Sequence, residues 1–94
     1  MILRVVFEWD LRKEQLNLTK HGVGFAEAQG AFLDPLRVIA VDEGHSRKEP
    51  RLFCIGRSHR GIVTVRFTQR GDHIRIIGAG YWRKGRHLYE KTNR

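Results

Sequence analysis

The sequence predicts a small α+β fold in which an antiparallel sheet carries two N-terminal helices on one face and a short basic helix at its C-terminal end. Three observations carry that expectation. Helix caps and apolar spacing occupy residues 7–35, and three strand patterns joined by short turns occupy residues 51–79. A positively charged segment without strand alternation follows them. Ninety-four residues, 40% of them hydrophobic, are enough for one core, so residues 1–94 are expected to form a single domain. That size excludes a deep cavity walled by two domains, and any site should be shallow. No apolar run approaches the roughly 18–20 residues that a membrane span needs. The N-terminus has no charged-then-apolar leader, which makes a cytoplasmic protein without a membrane partner the expectation.

Leu3 to Trp9 mixes apolar and charged residues around Val5, Val6 and Phe7 and reads as a first strand. Asp10 can cap the helix that follows, its carboxylate accepting from free N–H groups of the first turn, and Gly22 suits a left-handed helix end. The first helix is therefore Leu11 to His21. Phe25, Ala28 and Phe32 lay an apolar stripe along a second helix, Gly24 to Leu33, which Asp34-Pro35 stops because proline lacks the N–H and its ring clashes. Leu36 to Val41 is a second strand, running out into a polar loop from Asp42 to Pro50. Arg51 to Arg57, Ile62 to Gln69 and His73 to Ala79 are three further strands, joined at Ser58-His59-Arg60-Gly61 and Arg70-Gly71-Asp72. In the fourth, Val63, Val65 and Phe67 alternate with Thr64, Arg66 and Thr68. In the fifth, Ile74 and Ile76 stand opposite Arg75 and Ile77. From Tyr81 to Lys91 the chain reads as a basic helix, in which Gly85 costs about 1 kcal/mol against alanine.

Charge is distributed unevenly. Residues 1–50 hold seven Lys/Arg against eight Asp/Glu, and residues 51–94 hold eleven against two, so the whole +8 excess comes from the second half. Such a field attracts polyanions and makes their binding sensitive to salt, which points to nucleic acid or an acidic protein. Cys54 is the single cysteine, excluding an internal disulfide and a cysteine zinc cage, and its strand setting reads as a small buried hydrophobe. The histidines at 21, 45, 59, 73 and 87 are scattered, with no metal-ligand spacing, no phosphate-binding glycine loop and no nucleophile elbow. Neither a metal nor a cofactor is expected.

Strand alternation puts Arg51 and Arg57 on one face of the third strand, Arg66 on the outer face of the fourth and Arg75 beside it on the fifth. Arginine's planar fork matches phosphate oxygens, so this cluster suits an RNA backbone and the charge that builds on a scissile phosphate. The competing expectation, pairing with surface carboxylates, has only Asp72 and Glu90 to draw on in this half. Metal-free RNA cleavage also needs a base for the 2′-OH and a donor for the leaving oxygen. Glu49 or His45 is the candidate base, and Lys20 or His21 the candidate donor. His21 reads equally as a helix-terminal histidine facing the dipole, and His45 as a solvated loop residue.

The ordered series Phe7-Glu8-Trp9-Asp10, Asn17, Lys20-His21-Gly22, Phe25, Glu27-Ala28 and Phe32-Leu33-Asp34-Pro35 resembles the N-terminal half of the BrnT family of bacterial toxins from type II toxin–antitoxin pairs. The resemblance continues through Glu49-x-Arg51, Ile55-Gly56, Thr68-x-Arg70-Gly71-Asp72 and Ile74 to Ile77, reaching Ala79. It implies a RelE-like ribonuclease fold and a metal-independent endoribonuclease that arrests growth in the bacterial cytoplasm until a small BrnA-like antitoxin neutralises it. Operator DNA would be met only through that antitoxin, and the assembly would be a homodimer or a heterotetramer with it. By the same resemblance Lys20, His21, Glu49, Arg51 and Arg75 are the candidate catalytic residues; Trp9 and Asn17 match the family pattern too, but read as structural. His45, Arg57, Arg66, Arg83, Lys84, Arg86 and Tyr89 are the candidate RNA-binding residues. Similar proteins follow the fifth strand with Ser-Ala-Arg, whereas this chain has Gly78-Ala79-Gly80-Tyr81-Trp82, one residue shorter. The arginine there is missing, with Arg83, Lys84 or Arg86 the candidates to replace it and Tyr89 nearby. The alternative expectation is a catalytically weakened or silent module that binds RNA or antitoxin.

Overall fold

Asp10 is the hinge between the first strand and the first helix. Its Oδ1 accepts from Arg12 N at 2.8 Å and Lys13 N at 3.3 Å, which satisfies two of the orphaned donors of helix α1 (Leu11–His21). At the other end Gly22 takes φ 68° and its N–H donates to Leu18 O at 2.9 Å. Both boundaries fall where the sequence places them. The computed structural model describes residues 5–45 and 48–94, with the side chain of His45 excepted. Leu3 and Arg4, expected at the start of the first strand, and the His45 side chain, expected as base or RNA ligand, lie outside the described residues.

Strands β1 (Val6–Trp9), β2 (Val38–Val41), β3 (Leu52–Ser58), β4 (Gly61–Arg70) and β5 (His73–Gly80) form one sheet in the order β1-β5-β4-β3-β2. The expected antiparallel meander is present from β2 to β5. The sheet as a whole is mixed, because β1 pairs in parallel with β5, Phe7 opposite Ile74 and Trp9 opposite Ile76. Hairpins announce themselves through turn residues, whereas a parallel partner is reached by a long crossover that leaves no local signal. The alternation in β5 is also broken. Arg66 sits opposite Gly78 and Phe67 opposite Ile76, so Ile77 is an extra residue at a bulge, beyond which Ala79 points into the core.

The first helix does not lie on the sheet face as expected. Strand β1 ends opposite Ile76, and α1 takes up the edge of β5 beyond it. Asn17, the one buried residue of α1, donates from Nδ2 to Ala79 O at 2.9 Å and to Val23 O at 2.8 Å, and its Oδ1 accepts from Ala79 N at 3.1 Å. The side-chain amide thus pairs with Ala79 as a neighbouring strand would, which answers the bonding demand of a buried backbone.

The inner face is covered by α2 (Phe25–Ala28) and a 3₁₀ turn, Gln29–Leu33, which replace the single helix expected from Gly24 to Leu33. Gly56 explains how close this segment comes, since a Cβ there would lie 2.4 Å from Ala31 O. Val23, Phe25, Ala28 and Ala31 pack on Cys54, Val63, Val65, Phe67 and Ile76. Cys54 is fully buried, and desolvation pushes its thiol up to about 12, as suits an inert core residue.

On the outer face, α3 (Arg83–Thr92) lies against β4, β3 and β2. Gly85 makes this approach feasible, because a Cβ there would fall 1.9 Å from Thr64 Oγ1. Tyr89 Oη donates to Asp34 Oδ2 at 2.6 Å and Asn93 Nδ2 to Leu36 O at 3.0 Å, tying the helix to the segment before β2. The α3 helix covers the end of the outer face around Thr64, and Arg66, Arg70 and Arg75 lie towards the other end. No helix among the described residues is long and apolar enough to cross a membrane.

Candidate functional site

Seating α1 by Asn17 decides which of its residues meet the outer face of the sheet. Lys13, Asn17, Lys20 and His21 recur at helical spacing and share one face of the helix. With Arg66 of β4, Gly78 of β5 and Trp82, they line a cleft of about 360 Å³. His21 and Trp82 form a T-shaped pair with ring centroids 5.1 Å apart. Lys20, His21 and Arg66, nominated separately in the sequence, therefore share one cleft.

Arg75 lies farther along the same face, opposite Thr68 in the register and next to the Arg66–Gly78 pair. Glu49 is close by: Arg70 donates to it twice, Nε to Oε2 and Nη2 to Oε1, both at 3.1 Å. These bonds hold the Glu49 carboxyl below its usual range against a smaller opposing effect of desolvation, with further help from the charges of Arg70, Arg51 and Arg75. The second candidate group is thus Glu49, Arg51 and Arg75, with Arg70 as a member that sequence reasoning passed over.

The expectation that the sheet arginines have few carboxylates to meet is corrected by the fold. Arg66 Nε lies 2.9 Å from Asp42 Oδ2, Arg70 pairs with Glu49, and Arg75 Nη1 lies 3.8 Å from Glu8 Oε1. These acids come from the first half of the chain, carried in by β1 and the loop after β2. Arg66 Nε is buried and, despite its nearness to Asp42, makes no well-directed hydrogen bond among the described residues, so that contact is chiefly electrostatic.

The remaining nominated residues fall in other places. Arg57 stacks at 5.9 Å from the centre of the Tyr89 ring, in a cleft with Asp34 and His87 on the far side of α3. Tyr89 is 4% exposed and its hydroxyl is engaged by Asp34, so it anchors α3 and is not presented to a ligand. Arg83 and Arg86 line a cleft of about 480 Å³ with Arg60, Tyr81 and Trp82. Lys84 borders an apolar groove under α3 with Phe53, Ile55 and Leu88.

A polar cluster beside that larger cleft has no local signature in the sequence. Arg60 donates to both oxygens of Glu27, at 2.7 and 2.9 Å, and to Gly22 O at 2.8 Å, while its guanidinium lies 4.9 Å from the centre of the Tyr81 ring. Tyr81 Oη bonds Glu27 and Ser58 Oγ. Arg60 foremost holds the Glu27 carboxyl below its usual range, while burial and then Glu27 push the Tyr81 hydroxyl up. Among the described residues no three His, Cys, Asp or Glu side chains are grouped where they could hold a metal ion.

Comparison with known proteins places this geometry. A comparison with curated proteins finds no significant match. Among solved structures, the 1.1 Å crystal structure of the Brucella abortus ribonuclease toxin, BrnT, is similar with a TM-score of 0.63 and 28% identity, over 82% of this chain and 95% of that one. The profile of the family described as "Ribonuclease toxin, BrnT, of type II toxin-antitoxin system" matches residues 9–85, a span that runs from β1 into α3 and takes in both residue groups on the outer face. The chain belongs to the BrnT family of ribonuclease toxins of type II toxin–antitoxin systems.

Proposed function

We propose that residues 1–94 act as one RelE-like toxin domain in the bacterial cytoplasm, cleaving RNA without a metal and held in check by a BrnA-like antitoxin. The observation that carries this reading is the cleft in which Lys20 and His21 of α1 face Arg66 across Gly78. It continues along the same sheet face to Arg75 and the Glu49 group. In the proposed reaction the ribose 2′-oxygen attacks the adjacent phosphorus and its proton passes to Glu49. Arg66, Arg75 and Arg51 stabilise the pentavalent phosphorane, and the P–O5′ bond breaks as Lys20 or His21 protonates the departing oxygen. The products are a 2′,3′-cyclic phosphate and a free 5′-OH.

A second reading, a weakened or silent binding module of the same fold, is favoured by one observation. The arginine that similar proteins carry after the fifth strand is missing from Gly78-Ala79-Gly80-Tyr81-Trp82, and the Trp82 ring fills the space that a side chain at Gly80 would take.

Incubation of the purified chain with end-labelled RNA in EDTA separates the two. The proposal expects cyclic-phosphate ends, their absence with Glu49→Ala/Arg51→Ala, and at least tenfold slower cleavage with Arg75→Ala, about 1.4 kcal/mol or more of transition-state stabilisation. Full activity in those variants would overturn the assignment. RNA bound but uncut would favour the second reading.

A further inference from the structure

We propose that Trp82 is a stacking platform for one base of the bound single-stranded RNA, set between two cationic clefts that take the flanking phosphates. The inference rests on the reading that RNA is the ligand, and it concerns a residue outside the nominated set.

The seat of Trp82 depends on one glycine. The ring lies on Gly80, where an added Cβ would come within 2.4 Å of Cε2 and 2.5 Å of Cζ2, so position 80 must be glycine for the indole to rest there. His21 packs on the ring in a T-shaped pair, with centroids 5.1 Å apart and planes 83° apart. The residue keeps 36% of its surface exposed although Gly80 and His21 both contact its ring. Among the described residues its indole N–H has no hydrogen-bond partner, which leaves one donor for a ligand acceptor.

The surroundings of the ring supply the charge. Trp82 lines both the cleft with Lys13, Lys20 and His21 and the cleft with Arg60, Arg83 and Arg86. Lys20 on one side and Arg83 on the other make no ion pair among the described residues, whereas their neighbours Arg66, Arg60 and Arg86 pair with Asp42, Glu27 and Glu90. An exposed aromatic between two clefts that each hold a cation without an ion-pair partner, Lys20 in one and Arg83 in the other, is the arrangement that suits an unstacked base with its backbone running past on either side. An acidic protein segment would use the cations and leave the ring face without a planar partner. The observations therefore favour RNA.

The test uses the full chain with Trp9→Phe, which leaves Trp82 as the only tryptophan. It is titrated with a non-cleavable 2′-O-methyl hexanucleotide and with an abasic chain of the same length. The expected result is quenching of Trp82 by the base-bearing chain and not by the abasic one. In the otherwise unaltered chain, Trp82→Ala should weaken binding of the base-bearing chain roughly 5- to 150-fold, and that of the abasic chain little. Trp82→Phe, which keeps a ring, should lose less, and thermal melts of both variants separate lost stacking from lost fold. Equal affinity for the two chains, with no quenching, would overturn the platform while leaving RNA as the ligand. No binding of either chain would overturn both readings, and quenching by an acidic peptide in place of RNA would give the site to a protein partner and overturn the proposal.

Discussion

Glu49 shows how a single ion pair sets the working range of a proposed base. Two bonds from Arg70, and then the charges of Arg70, Arg51 and Arg75, hold its carboxyl below the usual value of 4.5 despite some desolvation. It is therefore ionised, and able to accept a proton, throughout the range in which an ordinary glutamate is. The same depression contributes stability that is present in full above about pH 4.5 and is lost as pH falls through the folded value. Arg70→Ala removes the principal cause, so the Glu49 pKa should rise towards its ordinary value. The acid limb of the kcat/KM profile should then move to higher pH, with activity retained near neutrality. A pH–rate series on both proteins checks this, and an unmoved acid limb would take Glu49 out of the role of base. The sequence showed Glu49 two residues before Arg51, but Arg70 lies in the next hairpin and nothing local announces their pairing.

At the scale of elements, the informative one is α1, whose boundaries were legible and whose place was not. Asp10 and Gly22 mark its ends through chemistry that acts within a turn. Its seat depends on a parallel partner for β5 and on the bulge at Ile77, both settled by residues far apart in sequence. Leu11, Leu16 and Leu18 are 73%, 62% and 42% exposed, so the hydrophobicity of the helix misleads about what it buries. Asn17, which matches the family pattern and reads as structural in the sequence, holds the element in place. Asn17→Leu keeps the volume and leaves the Val23 carbonyl and both polar groups of Ala79 without their partner, a loss on the order of 2–4 kcal/mol. For a chain of this size that corresponds to a fall in Tm of roughly 10–20 °C. Asn17→Asp, which can still accept from Ala79 N–H but donates nothing, should fall between. Thermal melts of the three proteins check the order, and a drop of less than about 2 °C for Asn17→Leu would mean that other contacts seat α1.

The whole molecule distributes its charge differently from what the linear sequence suggests. The +9 of residues 51–94 was legible by counting, and so was the alternation that puts Arg66 and Arg75 on one face. What counting by halves cannot see is that the fold lays Glu8, Glu27, Asp42 and Glu49 of the first half against Arg75, Arg60, Arg66 and Arg70 of the second. Cations with no such counter-charge are left at the end of α1 and the start of α3, on either side of Trp82. This division separates affinity from chemistry. Binding of single-stranded RNA should weaken with salt at a slope near −0.7 for each phosphate whose counterions are released. Lys20→Ala and Arg83→Ala should each flatten that slope by about 0.7, and together by about 1.4, because each gives up a site where a phosphate displaces bulk ions. Arg70→Ala should flatten it far less, since its guanidinium already has Glu49 as counterion in the free protein. Affinities for a non-cleavable RNA measured over roughly 50–300 mM salt decide the matter. Equal flattening by all three substitutions would mean that RNA displaces the internal carboxylates, and that the ion pairs across the outer face open when the ligand binds.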